Sequence, residues 1–386
     1  MNKPPTVSNS FKSRQIEVTE KLTIGSTQFR TVCATNVFIG NSSTGNSTLT
    51  GTNNFALGLS AGLNLTSGSF NNFLGSYAGF FNTTGSNNNF FGNAAGIYNT
   101  KGSSNNFFGD NTGFYNISGS NNNFLGQGAG QKNTRGCSNN FLGNNAGSAN
   151  TTGCFNNFLG PNAGQNNTSG RDNNFLGFYA GGGCSPSTKN TGSYNNFLGQ
   201  NAGRKNCTGS NNNFFGQDAG HCNNTGRDNN FFGSSAGLEN ISGKSNNFIG
   251  VIAGVNNTHG NINNFIGSGA GYYNTTGSFN NFIGSYAGTK NTTGNFNNFF
   301  GLSAGCANTV GSHNIIIGNR ADVNTNALSG VIVLGTNATA QLNNELSIGS
   351  STWPLSTVSD VTFTGQVSSV ILRLNGSLFR VPIIPV

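Results

Sequence analysis

Large apolar side chains return along this chain at one fixed interval. Every seventeen residues a block Asn-Asn-Phe-[Leu/Phe/Ile]-Gly recurs, followed by x-x-Ala-Gly-x-x-Asn-Thr-Thr-Gly-Ser-x. The Gly that closes the block stands at 58, 75, 92, 109, 126, 143, 160 and 177. After one five-residue insertion it resumes at 199, 216, 233, 250, 267, 284, 301, 318 and 335. The residue before this Gly is Leu, Phe or Ile in all seventeen blocks, and the one before that is Phe in fourteen. Asn stands four before it in sixteen blocks, and Ala three after it in sixteen, with Thr112 the exception. No heptad or 3.6-residue apolar pattern is present. A period this short and regular predicts stacked coils, not a globule folded around a pocket.

A seventeen-residue coil accommodates two short strands and two turns. Asn-Asn-Phe-Leu reads as one strand, and the segment around Ala-Gly as the second. Asn-Thr-Thr-Gly-Ser reads as a turn, because Asn and Gly accept positive φ. Identical residues then stack from coil to coil. One ladder is Phe73, Phe90, Phe107, Phe124, Phe141, Phe158, Phe175, Phe197, Phe214, Phe231, Phe248, Phe265, Phe282 and Phe299. Beside it runs a second that begins Leu74, Phe91, Phe108, Leu125, Leu142, Leu159, Leu176 and Leu198. Stacked Asn amides can hydrogen-bond along the axis. Seventeen rungs at about 4.8 Å give a rod on the order of 80 Å long.

Neighbours in a strand point to opposite faces, so Phe73 and Leu74 cannot both line a narrow coil. The pattern leaves two readings. In one, a closed homo-oligomer buries the second apolar stripe between chains. In the other, a kinked strand lets one wide coil bury both. The first is the simpler, and the pattern does not say which column faces inward.

Composition supports the coil stack. Gly accounts for 59 of 386 residues and Phe for 33, while only 7% are charged. Periodic Phe and aliphatic content sets the chain apart from disordered Gly/Asn/Ser-rich sequence. The net charge is +8. Its cations, Lys101, Lys132, Arg135, Arg171, Arg204, Lys205, Arg227, Lys244 and Lys290, are scattered and interleaved with acids. Scattered charge predicts solvated turn tips, with an anionic-ligand surface the alternative, and no nucleic-acid partner is expected. No apolar stretch of about 20 residues predicts membrane insertion. The first residues lack a signal-peptide pattern, so a surface location implies another route, such as incorporation into a particle.

No catalytic, cofactor or metal site is expected. The three His residues, 221, 259 and 313, pair with no plausible nucleophile and acid. His221 and Cys222, with Cys207, lack a fourth metal ligand. Gly243-Lys244-Ser245 ends like a phosphate-binding loop, but Leu238 stands where its first Gly belongs and no helix follows. An enzyme is not expected. Seven Cys without a fixed framework argue against a disulfide scaffold. Cys137 and Cys154 lie one period apart in one column, and are read either as free thiols or as a cross-coil disulfide.

The motif Asn-Asn-Phe-[Leu/Phe/Ile]-Gly-x-x-Ala-Gly-x-x-Asn-Thr-Thr-Gly resembles the head repeats of trimeric autotransporter adhesins. It is closer still to related repeats of phage and large-virus fibre proteins. Asn314-Ile315-Ile316-Ile317-Gly318 and Val331-Ile332-Val333-Leu334-Gly335 resemble the adhesin core most. The resemblance spans residues 36–350. It implies a left-handed parallel β-roll with three chains around one axis. The chain departs from the adhesins in its longer period, in Phe at a usually small position, and in lacking their stalk and anchor. These departures favour a virion fibre.

Three segments follow. Residues 1–35 are an attachment or capping segment, residues 36–350 the solenoid, and residues 351–386 a C-terminal β cap or trimerisation segment. The last holds a hairpin signal, Asn375-Gly376 between apolar runs. The insertion, Gly182, Gly183, Cys184, Ser185 and Pro186, is either a binding loop or a neutral bulge. The expected fold class is an all-β parallel β-solenoid of about seventeen coils, trimeric. The expected function is a surface fibre or adhesin on a virion or cell. Its partners would be further copies of itself, a host glycan or receptor, and an anchor through one terminus. A self-assembling filament is the alternative, and an ice-binding solenoid with Thr ladders a weaker one.

Overall fold

The computed structural model describes residues 21–24, 27–32, 35–41, 49–183, 190–352, 369–374 and 377–382. Cys184, Ser185 and Pro186 of the insertion lie outside them, as do Asn375 and Gly376 of the hairpin signal. The chain forms an all-β parallel solenoid of about eighteen turns. Its main sheet has 21 strands. Two of these, Lys21–Ile24 and Thr27–Val32, run antiparallel and cover the edge of strand Asn36–Gly40. The rest stack in parallel from Asn36–Gly40 to Leu346–Ile348. A separate antiparallel pair, Ser369–Leu374 with Ser377–Pro382, coincides with the expected hairpin.

Each rung is a three-residue strand, such as Asn157–Leu159. Register places like on like: Asn157 faces Asn174, Phe158 faces Phe175 and Leu159 faces Leu176. The insertion does not shift it, since Phe175 pairs with Phe197 and Leu176 with Leu198.

The structure assigns the two apolar columns. The fourteen Phe residues from Phe73 to Phe299 point inward and are buried. From Phe90 to Phe299 successive ring centroids lie 4.7–4.9 Å apart, with planes within 4–8° of parallel. This spacing is the strand separation itself. Leu74, Phe91, Phe108, Leu125, Leu142, Leu159, Leu176 and Leu198 point outward, and no member of their column is buried. The reading in which one wide coil buries both columns is therefore excluded.

Two amide ladders share the interior with the Phe rings. In the first, Asn71 donates its side-chain NH2 to Asn54 Oδ1 (2.9 Å) and to the Gly85 carbonyl (2.9 Å). Its backbone N–H donates to the same Asn54 Oδ1 (3.0 Å). In the second, Asn99 donates to Asn82 Oδ1 (2.7 Å) and to the Gly102 carbonyl (2.9 Å). Both columns are buried, and the hydrogen bonds offset the cost of burying an amide. Among the described residues one buried side-chain acceptor, Asn167 Oδ1, has no partner. It sits just before the insertion; Asn190 of the next coil bridges to Asn167 through the backbone, and the Asn190 Oδ1 accepts from its own coil's Gly192 N–H (3.4 Å).

The second strand expected around Ala-Gly is a run of turns in most coils. Coils still bond one another there, as in Gly62 N–H to Ala78 O (3.0 Å) and Asn64 N–H to Phe80 O (3.1 Å). The cause is the Gly four residues after the block, represented by Gly164 at φ +58°. A Cβ at Gly164 would collide with the Phe158 ring, so close Phe packing requires Gly, and its left-handed φ breaks the strand. The two coils with Asp322 and Thr339 at this position do form strands there, Asp322–Val323 paired with Thr339–Ala340.

Two corners per coil adopt positive φ without Gly. Ile262 (φ +55°) and Phe279 (φ +59°) are examples. A β-branched side chain is strained in this region. Ile262→Asn should therefore raise stability by about 1 kcal/mol. Phe158→Ala should lower it by about 3–5 kcal/mol, because it opens a gap in the ladder. Urea titration followed by circular dichroism reads both, and equal effects at the two sites would contradict this assignment.

Candidate functional site

Uniform coils offer repeated surfaces, so a localised site requires a departure from the repeat. The largest departure lies at and after the insertion. An open cleft of about 880 Å³ forms there. Gln165, Asn166, Tyr179, Gly182 and Gly183 line one end, and Arg204, Lys205, His221, Cys222 and Glu239 the other. The insertion's first two residues thus form part of the rim. Gly182 N–H donates to Tyr179 O (2.9 Å) and Gly183 N–H to Arg204 O (2.8 Å). The guanidinium of Arg204 lies 4.7 Å from the centre of the Tyr179 ring, a cation–π contact.

The His221–Cys222 pair falls inside this cleft. His221 Nδ1 lies 3.3 Å from Cys222 Sγ, and Lys205 Nζ reaches the same sulfur at 3.8 Å. Desolvation, helped by Lys205, holds the His221 imidazole below its ordinary value. Burial and the Glu239 carboxylate push the Cys222 thiol up, so Cys222 is not an activated nucleophile. Cys207 is disulfide-bonded, a feature the odd, unframed Cys count did not foresee. It is therefore not a free thiolate ligand beside His221. Among the described residues no three His, Cys, Asp or Glu side chains converge as a metal site. Among the same residues no helix is long and apolar enough to cross a membrane.

A second cavity, about 660 Å³, continues beyond Glu239 along the same side. Asn256, Thr258, Tyr273, Thr275, Lys290 and Thr292 line it. Its Thr residues form part of the Thr ladder. Thr258 Oγ1 donates to Thr275 O (3.0 Å), and Thr275 Oγ1 to Thr292 O (3.0 Å). The ladder is broken elsewhere by Ile117, Cys207 and Ile241, so no single flat Thr face runs along the solenoid.

Cys137 and Cys154 stand directly over one another. Both are free thiols in this structure, with sulfurs 2.6 Å apart. Burial and the neighbouring sulfur raise the Cys137 thiol to about 11. At the opposite end, Cys306 Sγ donates to Asp322 Oδ2 (3.0 Å); burial and this carboxylate raise the Cys306 thiol to about 11.

No family model matches this chain, and no curated protein or solved structure matches it.

The register of Cys137 and Cys154 predicts a cross-coil disulfide under oxidising conditions. Exchange with oxidised glutathione would join the two sulfurs and release two reduced glutathiones. Intact mass should fall by the two thiol hydrogens, and thiol titration should show two fewer groups. The rate should rise with pH, since little thiolate exists at neutrality when the thiol is raised. Two intact thiols at alkaline pH would contradict the prediction.

Proposed function

We propose that this protein is the rigid shaft of a surface fibre, in which three copies share a core and the rod mediates attachment to a host or surface. The observation that carries this reading is the outward Leu/Phe/Ile column. It runs unbroken from Leu57 to Ile348, with members such as Leu159 and Ile249 exposed by 37% and 44%. At about two-fifths exposure each rung leaves on the order of 60–100 Å² uncovered. Over the whole ladder the stripe exceeds about 1,000 Å². The largest apolar patch of a typical monomer is about 300–600 Å², and a stable interface needs roughly 800 Å² per partner. The stripe is also identical in every copy, which suits a closed symmetric assembly.

A column of half-buried Asn runs beside the stripe. Asn72 donates to Asn89 Oδ1 (2.7 Å), and this outer amide ladder continues rung by rung. An outward surface of Leu flanked by self-satisfied amides can press against its own copy without stranding polar groups. A surface shaft also fits the resemblance to fibre repeats. End-to-end polymerisation is less well supported, because the strand at residues 36–40 already carries an antiparallel pair on its edge.

Light scattering on the purified full chain tests the assembly. The mass should be three times that of one chain. Leu142→Glu with Ile266→Glu should reduce it to one chain while the circular dichroism of the coils persists. A wild-type monomer would overturn the trimer reading.

A further inference from the structure

The two cavities are successive stretches of one groove. They meet at Glu239, which lines both. Their walls follow a simple rule in the repeat. One wall is the residue six after the block Gly: Lys205, Cys222, Glu239, Asn256, Tyr273 and Lys290. The other is the residue eight after it: Cys207, Asn224, Ile241, Thr258, Thr275 and Thr292. Between them lies the inward-facing Asn column, whose buried amides, such as Asn257 and Asn274, close the floor. From the coil of Gln165 to that of Thr309 the groove crosses nine coils, on the order of 40 Å along the axis.

We propose that this groove binds a linear acidic polysaccharide lying parallel to the coil axis. Three observations converge on that ligand. First, cations stand toward both ends of the groove, Arg204 and Lys205 near the insertion and Lys290 far from it, with Glu239 the one acid among the described lining residues. This spacing fits a chain bearing an anionic group every few units. It is too sparse for a nucleic-acid backbone, which presents a charge at every nucleotide. Second, each Thr hydroxyl on the wall spends its hydrogen on the next coil's carbonyl, as Thr258, Thr275 and Thr292 do. Their oxygens are left as a row of acceptors one coil apart, suited to the hydroxyl donors of a sugar chain. Third, Tyr273 (53% exposed) offers an amphipathic ring within the same wall.

An extended peptide fits less well. Peptides usually dock by adding to a sheet edge or by seating side chains in apolar pockets. Here the backbone groups along the walls already bond the neighbouring coil, as in Thr258 N–H to Thr275 O (3.0 Å). The groove is independent of the proposed interface in space, because no lining residue belongs to the outward strand columns. Every copy in an assembly would present its own groove. The proposal supplies the ligand class for the fibre's attachment role and rests on that reading only for its biological setting.

Calorimetric titration of the full chain with hyaluronan oligosaccharides of increasing length, which carry one carboxylate per disaccharide, tests it. Affinity should rise with length and level off once the groove is filled, and it should fall with added salt. Arg204→Glu with Lys290→Glu should weaken binding by about tenfold to a hundredfold, as expected for lost charge-assisted contacts. Thr275→Val should weaken it less, and Lys101→Glu, which lies off the groove, should leave it unchanged. Uncharged dextran fragments should not bind. Binding that ignores the groove substitutions, or equal binding of polyglutamate, would overturn the proposal. Light scattering on the same samples separates the two ideas. A monomer that binds with these dependences defeats the trimer alone, and a trimer that binds no oligosaccharide defeats the groove alone.

Discussion

Backbone hydrogen bonds between successive coils fix the registration on which the rest of the molecule depends. Asn72 N–H donates to Asn88 O (2.8 Å) in the following coil, and Gly75 N–H to Leu57 O (2.9 Å) in the preceding one. Because the period is constant, these bonds place each residue over its own kind at the strand spacing. Every column must therefore tolerate stacking on itself. Phe rings can stack nearly parallel, and an Asn amide, being both donor and acceptor, can bond its own copy. Charges cannot do this cheaply, since like charges at that distance repel. This explains why a chain with only 7% charged residues folds, and why its cations fall in variable outer columns.

The same constraint shows what the sequence made legible. The period, the columns and their registry follow directly from the block Asn-Asn-Phe-Leu-Gly, and the strand at each block is found where that pattern puts it. The assignment of faces was not legible, because Phe158 and Leu159 are both large and apolar, and alternation alone gives two equivalent answers. The Gly beside the buried ring decides between them, since Gly164 makes room for Phe158. The missing second strand has the same origin, since that Gly takes a left-handed φ. It could have been foreseen from the coils where Asp322 and Thr339 replace it. Ile262 and Phe279 at positive φ gave no warning, because side chains of their type ordinarily avoid that region.

The groove was hidden for a different reason. Its walls are residues two apart that become neighbours only when the Asn between them turns inward. Lys205, Glu239 and Lys290 read as scattered turn charges along the chain, yet in three dimensions they share one wall. The insertion interrupts the repeat. What lies next to it is a rim formed by Gly182 and Gly183, leading into a feature that runs well beyond it.

The molecule thus divides its surfaces by column. The inward Phe and Asn columns hold the stack together, the outward Leu column is the face proposed for a partner, and the groove the one proposed for a ligand. Electron cryomicroscopy of the purified full chain at side-chain resolution tests this division most directly. The account predicts three parallel solenoids, with the Leu159 column on the shared axis and the Phe158 column enclosed within each chain. A single solenoid whose Leu159 column faces solvent, or an assembly joined through another face, would contradict it.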